Sequence, residues 1–273
     1  MPLPADLQFV IALARQAGEL VRTHAGKVER LSKRNGAEAV SIADRASQRL
    51  IVDGLRARFP NDGFIGEESD SGDSITNLPP RSGQRVWVID PIDGTNNFLA
   101  GLGNYAVCIG LLDAGMPILG VVYDVARNHM LAAARGAGAW CDDQPVRAQA
   151  SPLFDGAILM LTSNMMINDR LPGFASRWMS ATIWKVRILG SCALECASVG
   201  TGVAHGAITI NGKLWDVAAP AAIALEAGAM LTDFTGKPVF PYNLAGYSGG
   251  KVPFLCAGPA AHAQLLAEIR QFP

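Results

Sequence analysis

The sequence has no long apolar run, no cluster of basic residues and no start typical of a secreted protein. No stretch approaches 18 uninterrupted apolar residues, so we expect no membrane-spanning helix. The 23 lysines and arginines form no basic run, which disfavours binding to a nucleic-acid polymer. The first six residues lack the basic start and apolar core of a signal peptide. These absences disfavour a membrane-spanning protein, a secreted protein and a protein that binds a nucleic-acid polymer.

Cysteine and histidine are few, and their spacing is not that of a metal site. The five cysteines form no CxxC pair, and the four histidines are isolated from them in the sequence. A zinc site is therefore disfavoured, and free thiols in a reducing compartment are the simpler interpretation. We expect a cytoplasmic protein.

The first half of the chain combines helical and strand patterns. Hydrophobic residues make up 49% of the 273 residues, which is typical of a globular protein with a sizeable core. Apolar residues recur at helical spacing over 6–24 and 45–59, and a polar surface loop is predicted over 69–84. Beyond this loop, short β-favouring runs predict a meander of antiparallel strands over 85–89, 106–112, 118–123 and 129–134.

The second half alternates between strand-like and helix-like segments, which is typical of an α/β unit. The change of pattern places a boundary near residues 145–156. We therefore predict an N-terminal α+β domain over residues 1–150 and a C-terminal α/β domain over residues 151–273.

The most informative segment is residues 90–98, DPIDGTNNF, which directly follows an apolar strand. Pro91 and Gly94 favour a tight, irregular turn, so Asp90 and Asp93 can point to one place. Two carboxylates 4 Å apart repel each other by about 4 kcal/mol at an effective dielectric constant of 20. The fold must therefore raise a pKa or supply a cation, and oxygen ligands favour Mg²⁺ or Mn²⁺ over zinc. A lone DxxDG would more often be a surface turn, but the whole nonamer after an apolar strand is more specific.

Three further carboxylates have an ordinary structural explanation when each is considered alone. Glu67 follows an apolar step and a glycine, a pattern that also suits a solvated loop. Asp216 begins a strongly apolar helix, where an aspartate commonly caps the N-terminus. Asp44 stands three residues after Ser41, which is the spacing of a capping box. None of these carboxylates alone predicts a function.

Taken together and in this order, these residues resemble the inositol monophosphatase family. That family belongs to a wider group of Mg²⁺-dependent, lithium-sensitive phosphatases, which includes fructose-1,6-bisphosphatase. The family's first signature is matched by residues 90–98, and its second, Trp-Asp-Xaa-Ala-Ala/Gly, by residues 215–219. The segments 66–69 (GEES) and 40–44 (VSIAD) are similar to two further family elements. The resemblance covers nearly the whole chain. It implies a layered α-β-α-β-α sandwich with α+β and α/β parts, and a homodimer.

The resemblance also implies a set of metal ligands. The family's ligands match Glu67, Asp90, the Ile92 carbonyl, Asp93 and Asp216, which would hold two or three Mg²⁺ ions, with Mn²⁺ as an alternative. Asp90 would bridge two ions. Glu67 and the Ile92 carbonyl would bind one of them, and Asp93 and Asp216 the other. The implied reaction is hydrolysis of a phosphomonoester by a metal-activated water.

Three positions match family residues that take part in catalysis. The Thr95 hydroxyl and the Asp44 carboxylate would orient the attacking water, and Glu67 would act beside them through its metal ion.

Other positions match family residues that hold the substrate. The amides of Gly94 and Thr95 would bind the phosphate, and Lys33 would contact the phosphate or the metal-bound water. Arg187 and Ser191 belong to residues 187–195, which resemble the family segment on the alcohol side of the pocket.

Two departures from the family pattern bear on the substrate and on the structure. Thr209 stands where the family usually has a glutamate that binds substrate hydroxyls; we keep it as a predicted substrate-binding residue, although a hydroxyl cannot replace a charged acceptor. Pro220 stands where glycine is more usual. Because proline is tolerated only near the beginning of a helix, we expect it in the first turn.

The favoured function is therefore Mg²⁺-dependent hydrolysis of inositol monophosphate or a related polyol phosphate. Histidinol phosphate, a sugar bisphosphate and 3′-phosphoadenosine 5′-phosphate are alternatives. The nucleotide is disfavoured because residues 96–98 are NNF, whereas family members of that type carry Lys-Glu-Phe. A non-catalytic regulatory or binding homologue is a further alternative, and the intact acidic residues argue against it.

Overall fold

The computed structural model describes residues 3–26, 31–32, 39–40, 42–69, 76–180 and 183–272. None of the described helices is both long enough and apolar enough to cross a membrane. The helices are α1 Ala5–His24, α2 Ile42–Arg58, α3 Thr95–Ala100, α4 Gly173–Ser180, α5 Cys192–Gly200, α6 Leu214–Glu226 and α7 Pro259–Gln271.

The strands of the described residues form three sheets. A two-stranded sheet consists of β1 Leu31–Ser32 and β2 Ala39–Val40. An eight-stranded sheet contains β3 Gly63–Gly66, β4 Thr76–Leu78, β5 Arg85–Asp93, β6 Ala106–Asp113, β7 Met116–Asp124, β8 His129–Ala134, β9 Gly138–Cys141 and β10 Gln144–Val146. A five-stranded sheet contains β11 Ile158–Leu161, β12 Lys185–Arg187, β13 Gly206–Thr209, β14 Met230–Thr232 and β15 Phe254–Ala257.

The larger sheet is a meander with one inserted parallel pair. Its strand order is β10-β9-β8-β7-β6-β5-β3-β4, and the strands from β5 to β10 pair antiparallel in succession. The sequence predicts the part from β5 to β8. The exception is β3, which runs parallel to β5 and so ends at the same edge of the sheet. In the smaller sheet, of order β12-β11-β13-β15-β14, strand β11 is parallel to both its neighbours.

The helices and the two larger sheets stack in five layers. Helices α1 and α2 pack on one face of the eight-stranded sheet, and α5 and α6 fill the space between the two sheets. Helices α4 and α7 cover the outer face of the five-stranded sheet. The apolar face of α1 that the sequence predicts is buried against the eight-stranded sheet. This arrangement confirms the predicted α-β-α-β-α sandwich.

Helix α6 lies unusually close to the large sheet because two strands carry glycine beneath it. A Cβ atom on Gly120 would lie 2.1 Å from the Ala219 carbonyl oxygen, and one on Gly110 would lie 2.8 Å from the Ala219 nitrogen. Only glycine permits so close an approach of helix and strand backbones. This contact fixes the position of α6, and with it the position of Asp216 near its beginning.

The structure corrects two expectations and leaves a third open. Residues 69–84 were expected to form a loop, but β4 lies within them and adds an edge strand to the sheet. The expectation for Pro220 was wrong: α6 begins at Leu214, so the proline is its seventh residue and lies beyond the first turn. The predicted domain boundary near residues 145–156 falls between the eight-stranded and the five-stranded sheet. Helix α6 follows this boundary in the chain but packs on the eight-stranded sheet, so the division into two domains stays a prediction.

Candidate active site

The carboxylates of Asp90 and Asp93 meet because β5 is irregular between them. Side chains of a regular strand alternate, so residues three apart point to opposite faces. Here Asp90 pairs with Cys108 and Asp93 pairs with Ala106, which are only two residues apart on β6. The extra residue in β5 forms a β-bulge, and it turns both aspartates to one face. The predicted convergence therefore occurs, but inside a strand rather than in a turn.

Asp216 reaches the same point from the first turn of α6. Oxygens of Asp90, Asp93 and Asp216 all lie within 4.8 Å of one another. Asp216 Oδ2 also accepts a hydrogen bond from the Lys213 N–H at 2.7 Å. Asp216 is thus not the N-cap that its ordinary explanation expects: Lys213 is the N-cap, and Asp216 at the third helical position accepts from its N–H and belongs to the acidic cluster as well.

Burial and mutual repulsion raise the pKa values in this cluster. Asp90 is 1% exposed and Asp93 is 6% exposed. Burial, followed by repulsion from Glu67, Asp93 and Asp216, holds the pKa of Asp90 well above its ordinary value. Burial and then repulsion from Asp216 raise the pKa of Asp93 to about 7, although hydrogen bonds from α5 lower it. Such a cluster suits a divalent cation, because the cation's charge offsets the repulsion.

Two further groups that could bind a metal ion through oxygen lie beside these aspartates. The Glu67 N–H donates to the Ile89 carbonyl at 3.2 Å, which holds the end of β3 against β5, and the Glu67 side chain lines the same cavity as two of the aspartates. Ile92 lies within the bulge, and its carbonyl is 2.9 Å from Thr95 Oγ1. Because every donor in this set is oxygen, it fits Mg²⁺ or Mn²⁺ better than a softer ion.

Thr95 and Asp44 are brought together from different helices. Thr95 Oγ1 lies 3.3 Å from Asp44 Oδ1, and Asp44 is fully buried in the first turn of α2. Gly94, with φ of 85°, adopts the left-handed conformation that favours glycine and leads the chain from β5 directly into α3. A Cβ atom at Gly94 would lie 2.8 Å from the Asn104 carbonyl oxygen. The hydroxyl and the carboxylate that the resemblance pairs are thus neighbours.

Asp93 is held by the N-terminus of α5. Asp93 Oδ2 accepts a short hydrogen bond from the Ser191 hydroxyl and a second, of 3.0 Å, from the Ala193 N–H. Ser191 is the N-cap of α5, and its Oγ also accepts from the Leu194 N–H. The partial positive charge of the helix N-terminus favours the carboxylate. Ser191 therefore positions Asp93, and it is not among the described residues that line the cavity.

A polar cavity of about 250 Å³ opens beside the acidic cluster. Gly94 and Thr95 line it, as do two segments that the sequence reasoning missed, residues 162–164 and 211–213. These segments follow β11 and β13, which are parallel and end at the same edge of their sheet. Because sites are commonly built at the carboxyl ends of parallel strands, this pairing is the signal that could have identified them.

Besides Ser191, two further predicted substrate residues are not placed at the cavity. Arg187 is exposed, and its Nη1 donates to the Val186 carbonyl at 2.9 Å. It is absent from the described lining residues. Lys33 lies outside the described residues. The roles given to both by the resemblance stay predictions.

Thr209 lines the cavity but uses its hydroxyl within the protein. The residue is fully buried at the end of β13. Its Oγ1 accepts a hydrogen bond from the Gly212 N–H at 3.0 Å and another from the Thr162 hydroxyl at 2.8 Å. Little capacity is left for a substrate hydroxyl.

Glu195 is a cavity-lining carboxyl that the sequence reasoning did not single out. It is 2% exposed in the first turn of α5, and burial raises its pKa to about 8. Its Oε1 accepts from the N–H groups of Leu189 and Gly190, at 2.7 and 3.0 Å. The signal was available, since Glu195 is the one charged residue in the apolar sequence of α5.

Comparison with known proteins agrees with this geometry. The model of the inositol monophosphatase family matches residues 5–272. The fructose-1,6-bisphosphatase/inositol-1-monophosphatase of Thermotoga maritima is 36% identical over 232 residues, which are 85% of this chain and 86% of that protein. The histidinol-phosphatase of Mycobacterium tuberculosis is 33% identical, over 85% and 88% of the two chains. A solved IMPase structure from Thermotoga maritima superposes with a TM-score of 0.83 at 32% identity, covering 98% of each chain.

Proposed function

Because the chain belongs to the inositol monophosphatase family and is a phosphatase of that family, we propose that it hydrolyses a small phosphomonoester of the polyol phosphate type with Mg²⁺ at the acidic cluster. One observation carries the proposal. Oxygens of Asp90, Asp93 and Asp216 lie within 4.8 Å of one another where burial and repulsion raise the pKa values of Asp90 and Asp93, and Glu67 lines the adjacent cavity. A buried carboxylate cluster of this kind is stabilised by a divalent cation.

The proposed ligands are Glu67, Asp90, the Ile92 carbonyl, Asp93 and Asp216. When bound there, two or three divalent ions supply the positive charge that transfer of a phosphoryl group to water requires. The bulge in β5 holds two of these ligands on one face, and the first turn of α6 holds a third. Since the ligands come from separate elements that pack tightly, the site is organised before the substrate arrives.

The chain's own groups orient the nucleophile. Thr95 Oγ1 lies between the Ile92 carbonyl and Asp44 Oδ1, so its hydroxyl can accept a hydrogen bond from a water while passing its own proton towards Asp44. Asp44 is fully buried, which keeps competing water away from this relay. The amides of Gly94 and Thr95, at the cavity wall, are proposed to bind the phosphate.

Release of phosphate with and without the metal tests this proposal. Inositol 1-phosphate, glycerol 2-phosphate, histidinol phosphate, fructose 1,6-bisphosphate and 3′-phosphoadenosine 5′-phosphate would each be assayed with Mg²⁺ and with EDTA. We expect release that requires Mg²⁺ and favours the polyol phosphates. Release that is unaffected by EDTA would contradict the metal-dependent mechanism.

The position of Thr209 keeps the other substrates under consideration. Its hydroxyl is hydrogen-bonded within the protein. Thr209 therefore does not replace the charged glutamate that binds the substrate hydroxyls in the family. A relative of similar identity is a histidinol-phosphatase. Faster release from histidinol phosphate than from the polyol phosphates would favour that assignment, and no release from any compound would favour a regulatory homologue. A homodimer in the cytoplasm remains our expectation.

A further inference from the structure

The buried face of helix α2 changes from polar to apolar along its length. Its buried residues are Ala43, Asp44, Ser47, Gln48, Ile51 and Leu55. Ser47 is fully buried, and Gln48 is 5% exposed. Apolar side chains would fill these two positions at a lower cost in free energy, because a buried polar group must find a hydrogen-bond partner. The two polar residues therefore point to the segments that this end of α2 covers.

Gln48 holds the backbone on both sides of Glu67. Its Oε1 accepts from the Glu68 N–H at 3.0 Å, and its Nε2 donates to the Glu68 carbonyl in a short hydrogen bond. A Cβ atom on Gly66 would lie 2.6 Å from Gln48 Oε1, so the amide also lies directly over this glycine. Glu68 follows the end of β3 by two residues. Gln48 thus supplies the backbone partners that a neighbouring strand supplies within a sheet.

Ser47 holds the bulge in β5 from the same helix. Its Oγ donates to the Pro91 carbonyl at 3.2 Å, and the ladder of a sheet is locally disrupted at a bulge. The next carbonyl, that of Ile92, lies 2.9 Å from Thr95 Oγ1, which in turn lies 3.3 Å from Asp44 Oδ1. The Ile92 carbonyl is therefore fixed by contacts that begin on the polar end of α2.

The proposed metal ligands divide into two pairs that different helices hold. Glu67 and the Ile92 carbonyl would form one metal position, which we call the Glu67 position, and α2 fixes both of its backbone segments. Asp93 and Asp216 would form the other, which we call the Asp216 position. There Asp93 accepts from the hydroxyl of Ser191, the N-cap of α5, and Asp216 lies in the first turn of α6.

We propose that Ser47 and Gln48 are positioning residues for the Glu67 position, and that the Asp216 position is held independently of them by α5 and α6. Neither residue would touch the metal or the substrate. Each acts on the backbone beside a ligand, as groups around a metal site commonly do when they orient its ligands. The inference rests on the proposed phosphatase function and its metal ligands.

Anomalous scattering from crystals soaked in Mn²⁺ tests the proposal without reference to activity. Gln48→Met removes both hydrogen bonds to the Glu68 backbone at a similar side-chain volume, and Ser47→Ala removes the one to Pro91. Each should raise the dissociation constant of the Glu67 position by about 10- to 100-fold and that of the Asp216 position much less. At about three times the wild-type dissociation constant, a tenfold loss of affinity lowers the occupancy from about 75% to about 23%.

Two control variants separate positioning from general support of the fold. Ser191→Ala should show the reverse pattern, with the larger loss of Mn²⁺ at the Asp216 position. Thr232→Val removes a buried hydroxyl that lies 2.8 Å from His262 Nε2 in the other sheet, and Thr232 is not among the described residues of the cavity wall. It should leave both positions occupied as in the wild type. Equal loss at both positions in Gln48→Met and Ser47→Ala, or loss at neither, would overturn the proposal.

The remaining outcomes separate this inference from the proposed function. If Gln48→Met does not fold, Ser47→Ala decides: reduced occupancy confined to the Glu67 position supports the proposal, and unchanged occupancy overturns it. Wild-type crystals with Mn²⁺ at the Asp216 position alone would overturn this inference and keep the metal-dependent function. Wild-type crystals with Mn²⁺ at neither position would overturn both.

Discussion

Replacing Asp93 by asparagine should make the metal-free protein more stable while abolishing its Mg²⁺-dependent turnover. The carboxyl is buried and its pKa is raised to about 7, chiefly by burial and then by Asp216. The asparagine side chain would carry no charge, and its oxygen could still accept from the Ala193 N–H. The substitution would therefore remove a repulsive charge while keeping the contact with α5.

The size and sign of the stability effect follow from the shift in pKa. Below about pH 4 the Asp93 carboxyl is protonated in both the folded and the unfolded protein, and it costs nothing. As the pH rises towards 7, the unfolded protein ionises first, so the folded protein loses stability. The loss reaches about 4 kcal/mol above pH 7, since one pKa unit corresponds to about 1.4 kcal/mol. In EDTA at pH 8, the melting temperature of Asp93→Asn should exceed that of the wild type by roughly 10 °C.

Thermal unfolding at pH 4 and pH 8, with EDTA and with Mg²⁺, measures this effect. Mg²⁺ should stabilise the wild type at pH 8, since a ligand that binds the folded state raises its stability, and it should stabilise the variant much less. Asp142→Asn is the control, because that aspartate is partly exposed and its pKa is lowered rather than raised. A variant that is less stable than the wild type in EDTA at pH 8, or that responds equally to Mg²⁺, would refute the reasoning.

Three further predictions concern the groups around the cluster. Thr95→Val should lower kcat on the order of 100-fold, whereas Thr95→Ser should retain most of it; equal activity in steady-state assays of both would exclude the hydroxyl from catalysis. Ser191→Ala should raise the Mg²⁺ concentration for half-maximal activity by about 10- to 100-fold, because it frees Asp93; an unchanged Mg²⁺ titration would contradict this. Gly120→Ala should destabilise the protein by about 1–3 kcal/mol in urea unfolding, while Gly250→Ala, with no atom within 4 Å of its new Cβ, should not.

The sequence predicted most of the helices and strands because the pattern that indicates each of them lies within one short stretch of the chain. The helical spacing in α1 and the turn-separated apolar runs of the meander depend on which residues face the core, and the structure has them where predicted. The bulge in β5 could not be predicted in this way. It depends on the pairing of Asp90 and Asp93 with residues of β6 that lie more than ten positions away.

The parts of the site that the sequence did not predict depend on contacts between distant segments. Pro220 was misplaced because α6 begins at Leu214, two residues before Asp216, at which the helix was predicted to begin. The hydrogen bond from the Lys213 N–H to Asp216 marks this start. Glu195 was overlooked because the sequence does not show that the loop before α5 folds back and donates the amides of Leu189 and Gly190 to this carboxyl. Asp90 and Asp93 were singled out because the segment 90–98 is distinctive, and Asp216 because residues 215–219 resemble a family signature. The segments 162–164 and 211–213, which also line the cavity, carry no such pattern.

The position of the bound metal tests the central claim most directly. Crystals soaked in Mn²⁺ would be measured for anomalous scattering, which locates the ion without reference to activity. The account predicts peaks within bonding distance of the carboxylates of Asp90, Asp93 and Asp216. Peaks confined to the exposed cluster of His129, Cys141 and Asp142, the other group of potential ligands in the described part of the chain, would contradict it.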